Sequence, residues 1–363
     1  LPLKPHDFLN GAYWYDDMNP PARTDKATPA ATDCDRFYSH NKIYTSEVDN
    51  PFRFPLLGIN TVGTGTILGL SCAAKALSQG QFGQFPLYAF ATDGVWALEV
   101  SSSGSYSARQ PVTRDLCINP LAITQIDSAV IFPSARGLML LSGSQVTCIS
   151  DTVNTLHPFD TRSLPAVATL LDKAGTTSDR LVTIPFLEFL QDCGIIYDYT
   201  HQRFILFNPR CRYSYLYSLS SRQWSLMSSS VSHAVSSYPR AVAQTLAGDI
   251  LDFAADTIPR AVIGPQLILT RPLKLDMPDI LKTVDTVIQR GHFQKGHVQS
   301  VIYGSRDLFN WHLIWSSNDH YLRGFRGTPY KYFRIALICN LDLGETISGA
   351  TLQFEPRMTN RPR

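Results

Sequence analysis

A tight hairpin signal that returns at a blade-like interval constrains this chain more than any other feature. The stretch FPLYAFATDGVWALEV, residues 85–100, is two apolar runs hinged on Thr92, Asp93 and Gly94. Asp-Gly between alternating apolar residues predicts a primed two-residue turn with positive φ at both central positions. A second unit, SAVIFPSARGLMLLSGSQVTCIS, carries Arg136-Gly137 at its tip, 43 residues after Gly94. That interval falls within the roughly 40 to 50 residues of a four-stranded propeller blade. Farther on, CGIIYDYTHQRFILFNPRCRYSYLYSLSSRQWSLM supplies four strand-like runs in a row, at 194–199, 203–207, 213–219 and 223–227. These form a meander of one blade's length. A short hairpin follows at 241–254, and RFYSHNKIYTSEVDNPFRFP with TGTILGLSCAAKAL supplies strands upstream. Residues 35–258 therefore read as pieces of about five blades of a β-propeller-like body.

Two segments interrupt the β pattern near residues 163–193. PAVATLLDKAG, 165–175, opens on Pro, spaces its apolar residues helically and ends on Gly; IPFLEFLQDCG, 184–194, has the same signs. Both predict short helices inserted into the repeat body, where rim loops meet partners. Residues 1–34, with NPPARTDKATPAATD, read as an arm or linker. After Pro259 the runs QLILTRPLKL, KTVDTVIQRG, HVQSVIYGS, WHLIWSS, YKYFRIALICNL and SGATLQFEPR are separated by turn residues. Six short strands in about a hundred residues predict a C-terminal antiparallel β-sandwich over 259–363. The expected fold class is all-β: a propeller-like repeat body with small helical insertions, then a sandwich.

Composition narrows function by exclusion. With 44% hydrophobic and 17% charged residues, the chain fits an ordinary globular protein and no disorder class. Residues 260–363 carry 14 Lys/Arg against 8 Asp/Glu, a net of +6, which leaves −4 for the rest of the +2 total. That is too mild a basic bias to demand a nucleic-acid groove. Seven widely spaced cysteines without C-x-x-C signal neither a disulfide framework nor a zinc knuckle and read as buried thiols. No run approaches the roughly 20 apolar residues of a membrane span. The first residue is Leu1, not Met, so the expectation is a fragment or processed piece of a longer protein.

Motifs that could carry chemistry are thin. GLSCA, 69–73, approaches a nucleophile elbow but sits in antiparallel β context with Ala in place of the last Gly. GHFQKGH puts His292 and His297 five apart in a loop, with His320 farther on and no acidic partner in metal-ligand spacing. Asp249 with Asp252, and Glu47 with Asp49, are turn neighbours, placed where Asp bonds its own backbone and not across a glycosidase cleft. No catalytic residue, cofactor or metal is expected. The richest stretch is SRDLFNWHLIWSSNDHYLRGFRGTPYKYFR, 305–334, which interleaves arginines with aromatics. Such a mixture can stack bases or sugars, or fill a sandwich core with its aromatics while arginines lie on the face. If this domain meets a ligand or partner, the candidates are Trp311, Trp315, Tyr321, Arg323, Phe325 and Arg326, with the tip expected between 320 and 328. Asp307 and Trp311 also resemble the S-x-D-x-x-x-W arrangement of discoidin-like carbohydrate-binding sandwiches.

The segments IYTSEVDNPFRFP, PLYAFATDGVWAL, YSYLYSLSSRQWSLM and RDLFNWHLIWSS, with the ending PRMTNRPR, together resemble tail proteins of short-tailed phages. The family is the nozzle or packaged-DNA-stabilisation proteins, and within it the muzzle-type tail proteins of crAss-like Bacteroides phages. The resemblance implies a non-enzymatic virion protein assembled in the host bacterial cytoplasm. It implies a sixfold ring of copies through which DNA leaves, with passing non-specific DNA contact, and with portal, adaptor and fibre proteins as partners. The residues themselves leave two alternatives open: a carbohydrate-binding propeller or sandwich, and a propeller glycosidase.

Overall fold

The computed structural model describes residues 39–357 except 48, 73–85, 101–105, 108–110, 157, 161–162, 165, 168, 171–181, 229–230, 238–239, 254–265, 277–278, 320, 324–327 and 343. The expected arm at 1–34 lies outside the described residues. Of the described residues, 55% are in strands and 8% are helical. Its contacts divide it into two compact units, residues 1–157 with 184–254, and residues 158–183 with 255–363.

The first unit holds five small antiparallel sheets in chain order. The first pairs β1 (Lys42–Tyr44) with β2 (Ile59–Thr61). The second comprises β3 (Ile67–Cys72), β4 (Leu87–Ala91), β5 (Gly94–Val100), β6 (Tyr106–Ser107) and β7 (Pro111–Thr113). The third is a four-stranded meander of β8 (Thr124–Ile126), β9 (Ala129–Ser134), β10 (Gly137–Ser142) and β11 (Gln145–Cys148). The fourth is another, of β12 (Gly194–Asp198), β13 (Arg203–Phe207), β14 (Tyr213–Ser218) and β15 (Trp224–Ser228). The fifth has β16 (Val231–Ser237), β17 (Arg240–Thr245) and β18 (Ile250–Asp252).

The sheets pack face against face in sequence order. Ile43 and Val62 of the first sheet cluster with Ala89 and Leu98 of the second. Tyr88, Phe90 and Val95 on the second sheet meet Val130, Phe132, Met139 and Leu141 of the third. Ile196, Ile205 and Phe207 of the fourth meet Val231, Ala241 and Ala243 of the fifth. The opening strands of successive sheets also touch in order, β3 with β8, β8 with β12 and β12 with β16. Small antiparallel sheets whose first strands touch in chain order are propeller-like organisation.

Period-two sequence explains the faces. In YSYLYS of β14, Tyr213, Tyr215 and Tyr217 fall on one side and Leu216 on the other. The tyrosine side packs edge-on against Phe186 and Phe189, at centroid distances of 4.9 Å each to Tyr215. Those two phenylalanines lie on a helical turn, Phe186–Phe189, that continues as a 3-10 turn to Asp192, so the helix expected at 184–194 is present. Another helical turn, Asp151–Asn154, precedes it.

Hairpin chemistry differs from the sequence reading in one respect. Ala91 pairs with Gly94 and Ser134 with Gly137, so the two-residue loops are Thr92-Asp93 and Ala135-Arg136, and none of these four residues has positive φ. The left-handed requirement falls instead on the residue after each turn, Gly94 at φ +143° and Gly137 at φ +131°. A Cβ at Gly94 would strike the Thr113 carbonyl, and one at Gly137 the Ser150 hydroxyl. The register places Asp93 at the tip, where its carboxylate accepts from the Thr64 N–H (2.9 Å), the Gly65 N–H (3.1 Å) and the Trp96 indole N–H (3.0 Å). Burial raises the Asp93 carboxyl, but these donors outweigh it and leave the group below its ordinary value.

The second unit is a β-sandwich. Its strands among the described residues are β19 (Gln266–Leu269), β20 (Lys282–His292), β21 (Val298–Ser305), β22 (His312–Ser317), β23 (Tyr321–Arg323), β24 (Tyr332–Cys339) and β25 (Thr346–Pro356). One sheet has the order β19, β24, β21, β22 and the other β23, β20, β25. Between the sheets lie Val284, Val287, Val298, Ile302, Phe333, Ile335 and Leu337. On the other face of the four-stranded sheet, Val301, Tyr303, Ala336 and Ile338 pack against Leu164 and Val167, flanked by Phe159 and Leu170. The segment expected as a helical insertion of the propeller-like body thus groups with the sandwich. Of its helix at 165–175, the Leu170 N–H donates to the Ala166 carbonyl (3.0 Å), and residues 171–175 lie outside the described residues. Its apolar residues go to the sandwich because YFRIALIC of β24 is apolar on both faces, and a strand of that kind needs cover on both.

Candidate functional site

The aromatic and arginine-rich stretch begins in a tight turn between β21 and β22. The Asp307 carboxylate accepts from the Phe309 N–H (3.0 Å), the Asn310 N–H (2.8 Å), the Asn310 side-chain amide (2.7 Å) and the Ser305 hydroxyl (3.0 Å). The Asn310 backbone donor, then its amide, hold the Asp307 carboxyl well below the usual carboxylate range. Ser305 Oγ in turn accepts from the Leu308 N–H (3.0 Å), and Leu308 turns left-handed at φ +69°. The polar side-chain atoms of this Ser-x-Asp motif are spent within the turn, on its backbone N–H groups, on the Asn310 amide and on each other, as in other Asx turns.

Trp311 sits at the end of that turn and faces inward. Its indole N–H donates to the Leu308 carbonyl (3.1 Å), its ring packs on the Tyr303 and Ile338 cluster, and the Arg334 guanidinium lies 4.5 Å from its centroid. Arg334 is half-buried, and loss of hydration lowers its pKa. Trp311 and Arg334 therefore form a packed cation–π pair on a sheet face. His312 and Tyr330 stack at 5.9 Å, with Tyr330 against the cluster between the sheets.

Trp315 and Tyr321 are placed differently. They stand on β22 and β23, the edge strands of the two sheets, and are 48% and 42% exposed. Arg323 is in β23, paired with Thr286, and its side chain lies outside the described residues. Phe325, Arg326 and the rest of the expected tip at 324–327 also lie outside the described residues, as does His320. Of the six candidates, the structure thus half-buries one and exposes two on sheet edges.

A second cluster escaped the sequence reading. His297 was noted as lacking an acidic partner, but Glu345, 48 residues later, places Oε2 2.7 Å from its Nδ1. The same carboxylate accepts from the Gln294 N–H (2.8 Å) and the Asp342 N–H (2.7 Å). The His297 hydrogen bond, then these backbone donors, hold Glu345 down at about 2, and Glu345 raises His297. The partners come together because the β20–β21 and β24–β25 connections lie at the same end of the sandwich, which only the antiparallel register shows. Their spacing in sequence carries no signal.

Buried titratable groups elsewhere are structural. Asp198, fully buried at the end of β12, accepts from Arg203 Nε (2.8 Å) and pairs with His201 Nδ1 (2.8 Å) across the β12–β13 turn. The thiols of Cys117 and Cys193 are buried, and loss of hydration pushes them up to about 11 and about 12, which makes them poor nucleophiles. Among the described residues, no helix is long and apolar enough to cross a membrane.

No family model and no curated protein matches the chain. Among solved structures, one described as a glycoside hydrolase aligns over 78% of this chain and 83% of its own, at 9% identity and a TM-score of 0.19. A score that low carries no argument about fold or activity.

Proposed function

We propose that this chain is a non-enzymatic structural component of a short-tailed phage tail, part of the nozzle or muzzle ring through which DNA leaves and to which other tail proteins attach. The observation that carries this reading is large apolar side chains left in water at turns and edge strands of both units. Leu121 is 94% exposed, Phe309 87%, Ile250 74% and Leu56 69%. An isolated exposed apolar residue is ordinary. Several, each displayed at a turn or sheet edge of a β-framework, suit a subunit whose rims are covered on assembly. The phage-like phrases in the sequence give that assembly its identity, a sixfold ring joined to portal and adaptor in the virion. The near-neutral charge fits a conduit for DNA, because a strongly basic lining would hold phosphates by counterion release.

Light scattering coupled to size exclusion, followed by negative-stain imaging with a portal complex, tests the proposal. The expected result is a closed ring that joins the portal. A chain that stays monomeric at all concentrations and never joins a tail sinks it. The half-exposed Trp315 and Tyr321 favour one further reading, a carbohydrate-binding sandwich. A glycan array comparing the parent with Trp315→Ala and Tyr321→Ala decides it, since a blank array removes that reading.

A further inference from the structure

We propose that His297, Asp342 and Glu345 form a binding site for a divalent transition-metal ion, of which Zn2+ is the model, that ties the 293–297 loop of the sandwich to the 340–345 loop. Each residue offers one ligand atom, and these atoms all lie within 4.8 Å of one another. Ligands on one zinc ion sit about 2.0–2.2 Å from the metal and so roughly 3 Å or a little more from each other. The His297 and Glu345 atoms, at 2.7 Å, need to part slightly, and the exposed Asp342 side chain needs to close in. The ion replaces the proton shared by His297 Nδ1 and Glu345 Oε2, and that proton leaves to solvent. Water completes the sphere.

Two features make this more than a surface ion pair. Glu345 has its carboxylate fixed by the Gln294 and Asp342 backbone N–H groups, which is how ligating carboxylates are oriented in metal sites. The Glu345 side chain is nearly buried and that of His297 about a quarter exposed, so the ligand pair is held at the base of the loops with Asp342 on the open side. An imidazole with two carboxylates selects zinc-like ions over calcium or magnesium, which take oxygen ligands. The neighbouring cation, Lys295, is occupied 2.9 Å from Asp319.

The test is calorimetric titration of the full chain with ZnCl2, with CaCl2 as the control ion, repeated on His297→Gln and Asp342→Asn. Melting in EDTA shows that each variant is folded. The chain has nine histidines, so specificity rests on the variants and not on binding alone. The expected result is one zinc per chain, little response to calcium, and affinity at least about tenfold weaker in each variant. Should His297→Gln fail to fold, Asp342→Asn decides alone, because its side chain is at the surface. Zinc affinity unchanged in a folded variant, or no zinc binding up to millimolar concentration, overturns the site.

Discussion

Leu164 is buried against the outer face of the four-stranded sheet, in a cluster with Val167, Val301, Tyr303, Ala336 and Ile338. Replacing it with Ala removes about three methylene equivalents, worth about 2.4 kcal/mol at roughly 0.8 kcal/mol each. Because Tyr303 and Ile338 are anchored in central strands, the space closes only in part, which brings the cost to about 3 kcal/mol, inside the range for buried Leu→Ala. For a unit of this size each kcal/mol moves the midpoint by roughly 3–5 °C, so the transition of the second unit falls by about 10 °C. Differential scanning calorimetry of the full chain measures this directly. The loss must also appear in the sandwich, where Trp311 packs on the Tyr303 cluster and reports on it by fluorescence. A Leu164→Ala variant melting within a degree or two of the parent would show that residues 158–183 do not complete the sandwich core. A loss confined to the first unit would assign the segment to the propeller-like body instead.

Asp93→Asn should destabilise the first unit by about 1–2 kcal/mol, because Asn cannot serve the Thr64, Gly65 and Trp96 donors together; chemical denaturation reads it, and an unchanged midpoint refutes the turn-lock. Trp311→Ala should cost about 3 kcal/mol through lost packing, whereas Trp315→Ala, at the edge, should stay within about 0.5 kcal/mol; equal effects would contradict the inward and outward placements. Glu345 has a folded pKa of about 2 against an ordinary 4.5, so its contribution is present above pH 4.5 and lost as pH falls toward 2. His297 is raised above 6.5, so its contribution is present below pH 6.5 and lost as pH rises through the folded value. Melting against pH should therefore fall on both sides of a plateau between those limits, and His297→Gln should abolish the alkaline decline and shrink the acid one, because the His297 hydrogen bond is the largest cause of the Glu345 shift.

The strands were legible in this chain to the extent that they alternate. YSYLYS announces two faces by period two, and the structure packs tyrosines against Phe186 and Phe189 on one side and Leu216 with the fifth sheet on the other. The hairpins were legible as hairpins, but Thr92-Asp93-Gly94 was read one residue late. Asp-Gly satisfies a primed turn by propensity, and the rule has no knowledge of a loop at 64–65 whose N–H groups want a carboxylate at the tip. Trp311 was legible only as an ambiguity, since a sandwich and a binding platform both use aromatics spaced this way. The turn built by Asp307 settles which way that ring points. The His297 and Glu345 pair was illegible because 48 residues of strand and turn separate its halves.

One signal in the sequence did imply the unexpected grouping of residues 158–183. The runs VQSVIYGS and YFRIALIC are apolar or small at nearly every position, which in an antiparallel sheet means both faces are covered. A two-sheet sandwich covers one face of each sheet, so a third layer was required, and no apolar segment within 259–363 was left over to provide it. The nearest unassigned apolar segment was PAVATLLDKAG, with helical spacing and no sheet of its own. The consequence reaches folding. The sandwich core cannot close until the segments on either side of residues 184–254 have met, while the first unit must close around the excursion over 158–183. Loop closure of that length is costly in entropy but only slowly so, and the chain passes between the units after residues 157, 183 and 254. Three covalent crossings make the stabilities of the units interdependent, because unfolding the sandwich frees a segment threaded through the sequence of the other. A chain so nested should melt with coupled transitions, and cutting it at residue 255 should leave the first unit with all its segments but the sandwich without the 158–183 layer.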